Sequence, residues 1–166
     1  MPGEPWPVLG STAATVAVAA AAGVVAALAT VRAADRPPRR AAVLVGVPVA
    51  AASLLLWWAV NYWTAYPFPD YGGLHVLGGW LALAFGLLLA QIGLAAYAFA
   101  RWRLVAGPVA AFAVVALTWF SFLRVGGETD VLWVWALVYG PVLLAATALT
   151  VGIEYGARRA AGDVAA

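Results

Sequence analysis

The chain has 166 residues, 66% of them hydrophobic and only 10% charged, with a mean hydropathy of +0.95. Soluble domains carry about 25% charged residues, so a soluble fold cannot cover this much apolar surface and lipid must be part of the solvent. There is no cysteine, which excludes disulfides, thiolate metal sites, iron–sulfur clusters and cysteine nucleophiles. The formal net charge is +2, and all nine basic residues are arginine.

A membrane-crossing helix needs roughly 20 mostly apolar residues. Five stretches meet that requirement, at about 8–31, 41–62, 74–100, 104–123 and 131–155. The expected fold is all-α: a single domain over 1–166, built as an integral membrane bundle of five transmembrane helices.

The first span follows MPGEPWP, which is acidic and unlike the basic start of a signal peptide, so it reads as a retained helix. Its alanine content makes it the least lipophilic span and suggests that it packs against neighbours. RAADRPPRR, at 32–40, ends it with Pro37 and Pro38. The second span closes on WWAVNYWTAYPFPDYGG, whose prolines and glycine pair form the next turn.

The third span carries glycines every seven residues, at Gly72, Gly79, Gly86 and Gly93. Heptad spacing keeps them near one face, and small residues let another backbone approach closely. A second row, Gly78, Ala82, Gly86 and Ala90, repeats every four residues. Both rows read as packing faces for another span or a second copy; lining a pore or a flat ligand is the alternative. Gln91 lies on this span, and a lone amide in hydrocarbon needs a partner. Ser53, Thr118, Ser121, Thr147 or a backbone carbonyl would serve.

The turn ARWR leads into the fourth span, and RVGGETD ends on Thr129 and Asp130, expected caps for the fifth. Gly140-Pro141 falls inside the fifth span and predicts a kink. Near its end, Glu154 is expected to pair with Arg158 at i,i+4.

The charges set an expected orientation. Arg32, Arg36, Arg39, Arg40, Arg101, Arg103, Arg158 and Arg159 fall on one side of the spans. The other side has Glu4, Asp70, Glu128 and Asp130, with Arg124 alone. Basic loops stay in the cytoplasm, so the N-terminus is expected outside and the C-terminus cytoplasmic. The arginine and alanine usage points to a GC-rich prokaryote, hence to its plasma membrane. The positive charge then needs no nucleic acid partner.

Tryptophan is lopsided. Trp6, Trp57, Trp58, Trp63, Trp80, Trp119, Trp133 and Trp135 belong to the outer half, and only Trp102 to the inner. An aromatic belt explains part of this. Trp57, Trp58, Asn61, Trp80, Trp119, Trp135 and Tyr139 lie deeper, with His75 at the outer end of the third span. They form either packed core or a pocket for an apolar or aromatic molecule such as a lipid, quinone or pigment.

Enzyme chemistry has little to work with. There is no HExxH, GxSxG or phosphate-binding loop, and no carboxylate pair within a span. A membrane enzyme would have to use His75 with the outer carboxylates. No catalytic residue, metal site or cofactor is expected. The favoured expectation is a non-catalytic accessory or scaffold subunit acting through helix packing. Its partners would be the lipid bilayer and either a second copy or another membrane subunit.

Overall fold

The computed structural model describes residues 6–64, 73–125 and 131–162. Its helices are α1 (Thr12–Arg32), α2 (Pro38–Trp63), α3 (Leu74–Trp102), α4 (Ala106–Phe122), α5 (Val131–Val134) and α6 (Gly140–Ala160). A π-helical turn, Trp135–Tyr139, joins α5 to α6. Two short strands, β1 (Trp6–Pro7) and β2 (Arg124–Val125), pair antiparallel. Four helical segments are long and apolar enough to cross a membrane: α1, α2, α3 and the run Leu132–Ala160. The fourth span of the sequence reading is the shorter apolar helix α4, whose 17 residues rise about 26 Å.

The helix ends follow local chemistry. Ser11 caps α1, its side chain accepting from the amide of Ala14 at 3.1 Å. The helix therefore starts at Thr12 and not at Val8, whose amide instead donates to the Leu123 carbonyl at 3.0 Å. Pro38 opens α2 at its first position, where a missing N–H costs nothing. Arg103 ends α3 in the left-handed region at φ 55°, which allows the tight turn into α4. Thr129 and Asp130, expected caps, lie outside the described residues.

Consecutive helices are not the closest partners throughout. α1 packs chiefly on α4 and α2 on α3, while α1 and α2 barely touch. Glycine explains the close pairs. A Cβ on Gly23 would come within 2.8 Å of Phe112, one on Gly46 within 2.7 Å of Leu89, and one on Gly107 within 2.5 Å of the Ala95 carbonyl oxygen. At Gly23 and Gly107 the obstructing atoms include backbone oxygens, at 2.8 and 2.5 Å, so only glycine permits those two approaches; at Gly46 the nearest atom is the end of the Leu89 side chain. The main core runs through Ala26, Val45, Ile92, Ala96, Ala111 and Val115. Its small side chains match the short distances between helices.

Immediately before Gly140-Pro141, where the sequence predicts a kink, the chain makes the π-helical turn. Gly140 donates its amide to the Trp135 carbonyl, one residue further back than in an α-helix. Pro141 has no amide to continue the ladder.

The arginine-bearing ends of the helices meet. Arg103 pairs with Asp35 at 2.7 Å, and Trp102 on α3 contacts Tyr155 on α6, with ring centroids 4.9 Å apart. Glu154 bonds to Arg158, as the i,i+4 spacing predicts. It also does more. Its two carboxylate oxygens accept the amides of Val105 at 3.0 Å and Ala106 at 2.6 Å. A residue 48 positions away thus supplies the cap for α4, which has no capping side chain of its own.

Candidate functional site

The aromatic residues that the sequence reading groups together separate into three environments. Trp57 and Trp135 are fully buried and share a core with Leu88, Phe122 and Leu132. The Phe122 and Trp135 rings meet at 5.8 Å, tilted by 58°. Trp80 packs partly against the same core.

Trp58, Tyr139 and His75 point away from the bundle. Trp58 is half exposed and stacks on Tyr62, with centroids 5.4 Å apart and planes within 16°. This pair is one turn of helix α2 presented to its surroundings. Tyr139 is likewise half exposed. His75 is exposed at the start of α3, its ring lying over Gly73, which adopts φ 124°. Asn61 turns back on its own helix and donates Nδ2–H to the Trp57 carbonyl at 2.8 Å. Gly72, and the carboxylates Asp70, Glu128 and Asp130, fall outside the described residues.

Trp119 belongs to a different place. It packs against the main core from α4, and its indole N–H donates to the Ser53 hydroxyl on α2 at 3.0 Å. Above it, an apolar groove of about 580 Å³ opens between α1 and α2, where those helices fail to pack. Val115 and Trp119 form its floor, Val18, Val25 and Ala29 one wall, and Leu44 and Pro48 the other. A second apolar groove, of about 480 Å³, runs between α4 and α6 from Leu117 and Leu143 to Glu154. Sequence reasoning missed both grooves. Their one sequence signal is a stripe of aliphatic residues at helical spacing, which is indistinguishable from a core face.

The glycine rows also separate. Gly93 packs on α2, where a Cβ would meet Ala42 at 3.7 Å. Gly79 and Gly86 have nothing within 4 Å of that position. The heptad row therefore turns from the interior to the surface along α3. The four-residue row stays outside: Gly78, Ala82, Gly86 and Ala90 are all exposed. In this row small side chains leave about 20 Å of backbone open to close approach from outside.

Gln91 finds its partner across the bundle. It is fully buried, and its Nε2 donates to the Gly140 carbonyl at 2.6 Å. The bond ties α3 to the residue where the π-helical turn ends. Among the described residues, Oε1 of Gln91 has no hydrogen-bond partner.

Arg124 lies in β2, with its guanidinium 5.1 Å from the centre of the Phe120 ring. The contact is of cation–π type. Among the described residues no cluster of three His, Asp or Glu is placed to hold a metal ion. No family model, curated protein or solved structure matches the chain.

Proposed function

We propose that this protein is a non-catalytic scaffold subunit of a prokaryotic plasma membrane, which associates through the outer face of α3 with a second copy of itself. The observation that carries this reading is the exposed row Gly78, Ala82, Gly86 and Ala90. Other glycines at helix contacts, Gly23, Gly46 and Gly107, are filled to within 2.8 Å or less by a neighbour. This row has the same small-residue character, and among the described residues nothing lies within 4 Å of a Cβ placed at Gly78 or Gly86. A face on a single helix is self-complementary under two-fold symmetry, and small residues four apart are the register for close transmembrane pairing.

The topology that goes with this reading has five spans, α4 included, with the N-terminus outside. It is supported by the arginines gathered at one end of the bundle, through the Arg103–Asp35 and Arg158–Glu154 pairs. The scaffold role is supported by the burial of Trp57 and Trp135 in packed core and by the engagement of Gln91.

Photobleaching step counts on single particles extracted with their native lipids test the proposal. Two chains per particle are expected for the wild type, and one for Gly86→Leu. Gly86 has open space beside it, so the leucine blocks close approach from outside without disturbing the chain's own packing. A wild type that is monomeric, or a Gly86→Leu variant that remains paired, refutes it.

A further inference from the structure

The groove between α1 and α2 has a length, a lining and a neighbourhood that together specify an occupant. Along α1 it runs from Val18 to Ala29, a rise of about 16 Å. That is close to half of the roughly 30 Å hydrocarbon thickness, the depth of one leaflet. Its volume of about 580 Å³ lies within the range of small-molecule sites. Its walls are aliphatic throughout, and Val25 and Leu44 are themselves largely exposed on its rim.

The groove's lower end leads to arginine. On α1 the lining positions Ala22, Val25 and Ala29 continue at helical spacing to Arg32. On α2 the lining positions Pro48 and Leu44 continue backwards by one turn to Arg40. Residues three or four apart share a helix face, so one arginine extends each wall. Arg36 and Arg39 lie in the intervening turn and the first turn of α2, and all four are exposed. The nearby carboxylate, Asp35, is engaged by Arg103 at 2.7 Å. Among the described residues, Arg32, Arg36, Arg39 and Arg40 form no ion pair.

We infer that this groove is a binding site for an anionic phospholipid of the leaflet on the arginine-rich side. One acyl chain lies in the groove against Val115 and Trp119, and the phosphate sits between Arg32 and Arg40. A zwitterionic lipid offers the same chain but brings its own cation to the four arginines. The apolar part of the site therefore supplies affinity, and the arginines supply the preference for net negative charge. This inference is independent of the α3 face, which lies elsewhere on the bundle.

The test is native mass spectrometry of the purified full chain with added phosphatidylglycerol or phosphatidylcholine of identical chains. The wild type is expected to retain one phosphatidylglycerol per chain in preference to phosphatidylcholine. The double variant Arg32→Gln/Arg40→Gln should lose that preference by roughly thirtyfold, from about one surface-arginine contribution each. Val25→Trp fills the groove from a position 65% exposed, so the core is untouched, and retention of both lipids should fall. A circular dichroism melt confirms that each variant is folded. Equal retention of the two lipids by the wild type overturns the inference. So does a Val25→Trp variant that binds phosphatidylglycerol normally, because the arginines would then be acting as a general surface charge.

Discussion

Adding one methyl group at two glycines should change stability in opposite directions. At Gly107 the new Cβ would lie 2.5 Å from the Ala95 carbonyl oxygen, 3.0 Å from Phe99 Cβ and 3.4 Å from Phe99 N. Ordinary C···O contacts are about 3.3–3.6 Å, so α3 and α4 must separate locally by about 1 Å. Two of the three obstructing atoms are backbone, and no rotamer change relieves them. Overpacking of this kind costs about 1–3 kcal/mol. At Gly152, on the exposed side of α6, nothing lies within 4 Å. There an alanine gains helix propensity alone, about 1 kcal/mol. Equilibrium unfolding in mixed micelles, followed by circular dichroism, should therefore place Gly107→Ala below wild type and Gly152→Ala above it. The separation should be about 2–4 kcal/mol. Two variants that shift in the same direction would refute the close α3–α4 approach on which the bundle depends.

Other substitutions probe the polar contacts. Glu154→Ala removes the cap of α4 and the partner of Arg158, and should cost about 0.5–2 kcal/mol. Amide exchange at Val105 and Ala106 should accelerate, and Glu154→Gln, which keeps an acceptor, should restore part of the protection. Gln91→Leu loses the bond to the Gly140 carbonyl but also removes the unpartnered Oε1. The net change in an unfolding titration should stay within about 1 kcal/mol, and a larger loss would mean that the amide fixes the π-helical turn. A double-mutant cycle of Trp119→Phe and Ser53→Ala should give a coupling of about 0.6–1.7 kcal/mol for their hydrogen bond; zero coupling would remove that link between α2 and α4.

The existence of the helices is legible in the sequence because a bilayer demands a long apolar run, and prolines and arginines mark its ends. The partner of Gln91 was among the expected types, a backbone carbonyl, because an amide in hydrocarbon has few choices. Which faces pack was not legible. Lipid and core are equally apolar, so a membrane helix has no polar side to show which way is out. Gly23, Gly46 and Gly107 carry the tight contacts without any regular spacing, whereas the regular row on α3 is largely exposed. The aromatic residues near the end of α2 differ for the same reason. Trp57 enters the core and its neighbour Trp58 faces out, an alternation set by helix rotation. The β1–β2 pair and the cap of α4 by Glu154 join residues far apart in the chain, and two-residue strands leave no periodic signal.

The most direct test of the scaffold role uses the natural absence of cysteine. A single cysteine at Ala82, in the centre of the exposed α3 row, should give a disulfide-linked dimer on mild oxidation in native membranes. A cysteine at Val109, also exposed, on α4, serves as the reference for random collision and should remain monomeric. Equal cross-linking at the two positions, or none at Ala82, would contradict pairing through α3.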